Sequence, residues 1–566
     1  MKGRLKTIIA IAVAAVVLVG CILFFVLRKP DKSQGEANEI RIFTYSGHEF
    51  ESVQMDATMK KVEEAVGVKL SFEGATAEDY YTKLNPMIST GDWPHIIWSD
   101  PENSSGSFQT WADPAQDILY NLDELLLPNA SRYPYLNKLV YSDQYKNIMY
   151  HEGHYLIPHV STTTAWAIYY RADWLEQIGF VDETTGKAKA PTTLEEFEQV
   201  MKGFSGEGKF TDASGKKTGR TYGISPNTQN FYVNPLYGAF GVTPDWDISE
   251  SGEVSYMYAR EEFKDYLKWM NAMYHQGWID PTFNQNTGFK DRDAWYDGKV
   301  GCIMTNGEAH MEWVIGNFES AQGADKVIVG PPLLGTGEVS ALTGCTLGVA
   351  GERGYSNWGG YYGGYALTKS FENDEDVLKA LDLLEYLVSS EGQMLRLYGI
   401  EGTHYTKGEN GEIIPDVNAR SSERIHYFST VTDKDGNDTC GGLHQIGGRF
   451  GYSVDWEYFD QTGLVRVSTD IGGIYPKYGD LVRQAVGYTQ YLQTSRLLNV
   501  TAFPSTIETM SAEIMKIASA NINSSITGDS NKIDEKWSKM LSDIDKANYS
   551  MVKAVMEETA RNLGII

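Results

Sequence analysis

The chain has 566 residues and carries 75 acidic against 49 basic side chains, a formal charge of −26; residues 1–29 hold +5 of basic charge and no acid, which leaves −31 on the rest. That balance argues against nucleic acid or an anionic lipid surface as partner, because either needs a basic face. With 13 Trp, 35 Tyr and 56 Gly the composition is that of a folded, turn-rich chain, and about 530 residues beyond the N-terminal segment exceed one ordinary core, so two or more lobes are expected.

The N-terminus opens with Lys2, Arg4 and Lys6, continues as an apolar run from Ile8 to Leu27, and ends at Arg28 and Lys29. A basic start before an apolar core is the layout of an export signal, and the run is also long enough to cross a bilayer as a helix. Two tethers fit. Leu18-Val19-Gly20-Cys21 spells a lipobox, in which cleavage leaves a lipidated Cys21; alternatively the run stays uncut as an anchor, and the apolar stretch Ile22–Leu27 continues in its favour. Either way the bulk of the chain is expected on the extracellular face of the cell membrane. Residues 30–38 read as a polar linker.

In chain order, Ile40–Tyr45 alternates as a strand, Ser52–Ala65 reads as a helix stopped by Gly67, and Val68–Phe72 as a second strand. Ala77–Ser89 is a second helix and His95–Trp98 a third strand, so this part is expected to form a parallel sheet with helices on its faces. Tyr150–Pro158 reads as a hairpin, Ala165–Tyr170 as a strand and Ala172–Ile178 as a short helix. Pro191 opens a helix in which Thr192 and Glu195 have capping-box spacing and Leu194, Phe197, Val200 and Met201 share one face. Glu261 starts an amphipathic helix that ends near Gly277; Gly298–Met304 reads as a buried strand, Gly364–Thr368 as another, and Asp374–Val388 as a helix. Helices are expected again over Thr506–Ala520 and Asp534–Asn562, and Trp174 and Trp269 fall on the core sides of theirs.

Motifs for common enzyme chemistry are missing. Gly206-Glu-Gly208-Lys209 lacks the spacing and hydroxyl of a phosphate loop, and neither GxSxG nor HExxH occurs. Cys21, Cys302, Cys345 and Cys440 have no disulfide or zinc spacing, and Cys302 and Cys345 read as small buried hydrophobes. His151, Glu152, His154 and His159 form either a metal cluster or, more simply, a polar hairpin whose histidines face solvent. The run from Asp433 to Asp438 begins like a calcium loop but places His444 where that loop needs Glu, so it reads as a turn.

Several segments together resemble extracellular solute-binding proteins of family 1, the sugar-capturing receptors of ABC importers, and within them the long lipoprotein-type members of Firmicutes. Gly91-Asp-Trp-Pro-His-Ile-Ile97 is similar to that family's turn into its third strand. Tyr170-Arg171-Ala-Asp173-Trp174-Leu175 followed by Pro191–Phe197 is similar to its "yRkDwL…PtTldEf" pattern. Asp297–Gly301 resembles "f..GkvG", Tyr398–Tyr405 resembles "yG.EGvhy", and Trp537–Asn562 resembles the family's C-terminal helices. The resemblance implies a periplasmic-binding-protein-like type II fold: two α/β lobes with an interlobe ligand cleft, lobe 1 near 39–155 plus 358–470 and lobe 2 near 156–357 plus 471–566. It also implies an oligosaccharide ligand, ABC permease partners, a monomer, no cofactor and no catalysis; a surface carbohydrate-active enzyme is the alternative. Where some relatives carry a calcium loop, this chain has 211–219 with a single acid, and no metal is expected there.

A sugar offers apolar faces for aromatic rings and hydroxyl edges for polar groups. The candidates at strand ends and in polar-aromatic stretches are therefore Tyr45, Glu49, Trp98, Asp100, Trp166, Asn230, Tyr232, Asn306, Glu308, Glu401 and Tyr405.

Overall fold

The computed structural model describes residues 39–46, 57–76, 79–99, 107–160, 166–211, 215–226, 235–286, 291–306, 315, 317–322, 326–356, 361–409, 413–415, 431–432, 438–439 and 479–566. Its principal strands are β1 (Glu39–Ser46), β2 (Lys69–Thr76), β3 (Ile96–Ser99), β4 (Ile157–Val160), β5 (Trp166–Arg171), β6 (Cys302–Asn306), β7 (Val327–Gly330), β8 (Tyr355–Ser356), β9 (Tyr361–Leu367) and β10 (Leu492–Gln493). Its longer helices are α1 (Ala57–Val66), α2 (Tyr80–Thr90), α3 (Leu194–Phe204), α4 (Glu261–His275), α5 (Asp374–Val388), α6 (Ser505–Thr527), α7 (Ile533–Lys546) and α8 (Tyr549–Asn562).

Two hydrophobic cores organise the chain. The first is built from residues between Ile40 and Ile157 and returns between Tyr365 and Leu395. The second runs from Ala167 to Leu347, then takes Tyr405 and residues from Ala485 to Ala560. The chain therefore passes from one core to the other between β4 and β5, between β8 and β9, and between Leu395 and Tyr405. Tyr405 packs with the second core, although the sequence reading grouped its segment with lobe 1.

The first core carries a five-stranded sheet of order β2-β1-β3-β9-β4. β1, β2 and β3 are parallel, as the alternation of strand and helix predicts. β9 is antiparallel to both β3 and β4, so the sheet is mixed. That strand arrives from the far core, and a chain that crosses over and returns enters the sheet from its other end. The second core holds a three-stranded sheet, β6-β5-β7, antiparallel throughout.

Local chemistry explains the helix starts. Asn373 caps α5, its side chain accepting from the Asp376 N–H, and Asp374, Glu375 and Asp376 place negative charge at the positive end of the helix dipole. For α3 the capping box sits one residue later than its sequence spacing suggests. Thr193 Oγ1 accepts from Glu196 N (3.1 Å), while the Glu196 carboxylate accepts from Thr192 N (2.8 Å) and Thr192 Oγ1 (2.7 Å). Leu194, Phe197, Val200 and Met201 are fully buried on the face so fixed, and Trp174 and Trp269 are core residues as the periodicity requires.

Other elements differ from expectation. Tyr150 pairs with Gly153 alone, and Ile157–Val160 pairs with β9 instead of folding back as a hairpin arm. Strand β6 starts at Cys302, because Gly298 turns with φ 65°. The C-terminal helix breaks into α7 and α8 at Asn548, which takes a left-handed φ of 69°. Cys302 is buried, but Cys345 is only partly so.

Candidate functional site

The register within each sheet shows which strand ends lie where the chain changes lobes. In the first sheet the carboxyl ends of β1 and β2 lie side by side, Tyr45 against Ala75 and Ser46 against Thr76. Ser99 at the end of β3 pairs with Gly364, and Val160 at the end of β4 pairs with Tyr361 as the chain re-enters. In the second sheet Trp166, the first residue after a crossing, is the register partner of Asn306, the last residue of β6. Two candidates 140 positions apart in sequence thus become cross-strand neighbours at the entry to the second lobe. Open α/β sheets place ligands beyond strand ends of this kind, in the crevice between lobes.

The other candidates fall differently. Tyr45 closes β1 at the same edge. Trp98 precedes the end of β3 but is only 2% exposed; its ring meets Tyr80 edge-on at 5.8 Å and belongs to the first core. The Tyr80 hydroxyl reaches the Phe43 and Trp98 carbonyls, so α2 ties the ends of β1 and β3 together. Thr44 Oγ1 and the Tyr365 hydroxyl meet at 3.3 Å and link β1 to β9. These supporting groups are not singled out by sequence reasoning, because each acts through a partner far away in the chain. Glu49, Asp100, Asn230, Tyr232, Glu308, Cys21 and the apolar run Ile8–Leu27 lie outside the described residues. Among the described residues no helix is long and apolar enough to cross a membrane.

The 398–405 segment folds as a self-contained turn. Gly399 takes φ 83°, and a side chain there would press on the buried His404 ring, whose Nδ1 accepts from Ile400 N at 2.8 Å. Gly402 N donates to the Tyr405 carbonyl at 2.7 Å. The Glu401 carboxylate, about half exposed, pairs with Lys407 at 2.9 Å. Burial pushes the Tyr405 phenol above its ordinary range, and the Glu401 carboxylate, which takes a hydrogen bond from it, adds to the shift. Glu401 and Tyr405 are thus bonded to each other within their own motif.

The histidine-rich segment is not a solvent-facing hairpin. His154 is buried, with Nδ1 on Asp123 Oδ1 (2.8 Å) and Nε2 on the Lys146 carbonyl (2.9 Å). Asp123 also accepts from Tyr141 (2.8 Å), so its carboxylate organises this corner of the first lobe. His151 is exposed and contacts the Gln109 carbonyl at 3.1 Å. Among the described residues no group of three or more His, Cys, Asp or Glu is placed to hold a metal. The Asp433–Asp438 turn is flanked by a short pair, Val431–Thr432 against Asp438–Thr439, with 433–437 outside the described residues.

Two α/β lobes joined by repeated crossings make the fold periplasmic-binding-protein-like. The chain is similar over 93% of its length, and 99% of the other chain, to the S. pneumoniae ABC-transporter substrate binding protein FusA in complex with kestose, at a TM-score of 0.60 and 14% identity. Residues 57–404 match the bacterial extracellular solute-binding proteins, and the chain belongs to that family. Two relatives from Bacillus subtilis (strain 168) are similar over 72% of this chain. Lipoprotein LipO is 23% identical over 428 residues and 74% of its own length. The polygalacturonan/rhamnogalacturonan-binding protein YtcQ is 22% identical over 430 residues and 75% of its length.

Proposed function

We propose that this protein is the substrate-binding component of an ABC importer, which captures an oligosaccharide or related sugar outside the cell and hands it unaltered to a membrane permease. The meeting of Trp166 and Asn306 across two strands, at the edge where the lobes exchange chain, carries this reading. A ring for a sugar face beside an amide for its hydroxyls is the pairing such a ligand needs. Tyr45 would supply a second ring from the opposite lobe. Glu49, Asp100, Asn230, Tyr232 and Glu308 would add polar edges, while Trp98, Glu401 and Tyr405 would shape the surrounding frame. The names of the relatives, two of which mention sugars, favour this ligand class. The protein would work as a monomer without cofactor, tethered at the extracellular face by a lipidated Cys21 or by an uncut N-terminal helix. A tether keeps captured solute at high effective concentration near its permease.

The test is a thermal-shift screen of the purified chain against neutral and uronic-acid oligosaccharides, with reducing ends assayed in the same wells. A bound ligand at about 100 times its Kd stabilises by about 2.7 kcal/mol, so at least one glycan is expected to raise Tm clearly without being cleaved. No shift with any glycan would defeat the proposal, and release of reducing ends from one that binds would favour the enzyme reading.

A further inference from the structure

Among the described residues, four hydrogen bonds join segments of the two lobes, and all lie in one patch. Asn499 Nδ2 donates to the Gln144 carbonyl (3.2 Å) and Thr501 N to the Asn147 carbonyl (3.2 Å). Thr501 Oγ1 donates to the Met149 carbonyl (3.0 Å), and Gln109 Nε2 to Glu508 Oε1 (2.7 Å). The donors at 499 and 501 sit on a turn shaped by the left-handed Asn499, φ 62°, just before α6; Glu508 lies in the first turn of α6.

The receiving stretch is braced from within the first lobe. Tyr145 and Ile148 are buried in its core, and His154 holds the Lys146 carbonyl. The next turn is unusual: His151 and Glu152 both take positive φ, 46° and 64°, between the mutually bonded Tyr150 and Gly153. Backbone of that kind persists in non-glycine residues only where surrounding bonds over-determine it, and here His151 contacts the carbonyl of the same Gln109 that reaches Glu508.

One group in the patch is unsatisfied. The Gln144 side chain has both Nε2 and Oε1 buried and bonded to nothing among the described residues. Burying an amide with neither donor nor acceptor used is unfavourable. Yet it sits on the residue whose backbone carbonyl receives Asn499.

We propose that this patch is a latch holding one of two lobe arrangements, and that the Gln144 carboxamide biases the molecule against the latched one. In the other arrangement the 499–508 segment withdraws and the carboxamide gains hydrogen-bonding partners. The latch rests on the reading of the protein as a receptor whose lobes move about a ligand. Its consequence is that residues remote from the ligand set affinity, since apparent affinity scales with the fraction of molecules in the competent arrangement.

The test needs no ligand, so it stands apart from the identity of the sugar. Dyes are attached through unnatural amino acids at Lys83 in α2 and Glu535 in α7, both exposed and on opposite lobes, and single-molecule energy transfer is read on the full chain in detergent. Asn499→Gly with Thr501→Val keeps the turn and deletes two latch bonds. It is expected to lower the ratio of latched to unlatched molecules about tenfold or more. Gln144→Leu is expected to move the ratio the opposite way. Gln109→Ala, which removes one exposed bond and leaves both cores intact, covers the case in which the double variant fails to fold. It is expected to lower the ratio a few-fold. Shifts of the same sign for Gln144→Leu and the latch deletions, or no shift in any, would overturn the proposal.

Discussion

Asn271 on α4 secures the far end of α6, and its removal has a calculable cost. The residue is 1% exposed. Its Nδ2 lies 2.9 Å from the Ser525 carbonyl, 3.0 Å from that of Ile526 and 2.9 Å from that of Gly528, and its Oδ1 accepts from Ser530 Oγ at 2.7 Å. The last carbonyls of a helix have no partner inside it. The Gly528 carbonyl keeps a second donor in His275 Nε2 (2.8 Å), and exposed Ser530 can turn to water. Asn271→Ala therefore orphans two carbonyls on residues buried between α4 and α6. At about 1–3 kcal/mol for each unsatisfied group, the loss is about 2–4 kcal/mol after partial relaxation. By the scaling for domains of 150–250 residues, about 2–4 °C for each kcal/mol, that lowers the melting transition of the second lobe by roughly 4–16 °C. The measurement is calorimetry, with hydrogen exchange at α6 to assign the transition. Asn271→Asp keeps the shape but turns a carboxylate toward carbonyl oxygens, and should fall at least as far. If Asn271→Asp melts like the wild type, the amide donors do not hold this helix end and the reasoning fails.

Three further outcomes are expected. Gly335→Ala would set a methyl 2.3 Å from the Ala239 carbonyl oxygen and 2.4 Å from that of Val349, so it should cost about 1–3 kcal/mol in denaturant titration, whereas Gly219→Ala, with open space around it, should stay within about 0.5 kcal/mol of wild type. Burial pulls the Glu196 carboxyl upward, but hydrogen bonds from Thr192 and the Lys189 ammonium outweigh it and leave its pKa below the ordinary 4.5. A depressed carboxyl pKa contributes stability above the unfolded value and loses it as pH falls through the folded value; the Tm gap between wild type and Glu196→Gln should be full at neutral pH and close below about pH 4.5, and a gap that persists in acid would contradict this. Trp166→Ala should weaken the glycan found by screening about tenfold or more, and equal affinity would remove Trp166 from the site.

The legibility of the fold follows the range of the interactions that make each element. The helix Asp374–Val388 is readable to the residue because its cap, its acidic first turn and its apolar stripe are all local. The breaks at Asn548 and Gly298 are less so, since a single left-handed residue leaves no periodic trace. The antiparallel β9 inside an otherwise parallel sheet is invisible locally: its neighbours Ser99 and Ile157 lie far upstream, and nothing in Tyr361–Leu367 encodes direction. The candidate site divides in the same way. Strand ends pick out Tyr45, Trp166 and Asn306, but the pairing of the last two is a fact of topology. Trp98 looks like a surface platform by position, and becomes core because Tyr80 from α2 closes over it. Glu401 and Tyr405 carry a recognisable pattern whose local meaning, a turn built on Gly399 and His404, comes from tight packing that no spacing rule conveys.

The late arrival of β9 has a consequence for how the molecule is made. β3 is complete at Ser99 and β4 at Val160, yet the strand between them is not present until Leu367 has been synthesised. At ordinary elongation rates the nascent chain spends on the order of tens of seconds with two strand edges waiting for a partner. Edges of that kind recruit other chains and aggregate, and closing so wide a gap in sequence slows the final step. A chain wired this way cannot mature lobe by lobe from its N-terminus. Its first lobe stays open until most of the second has been made.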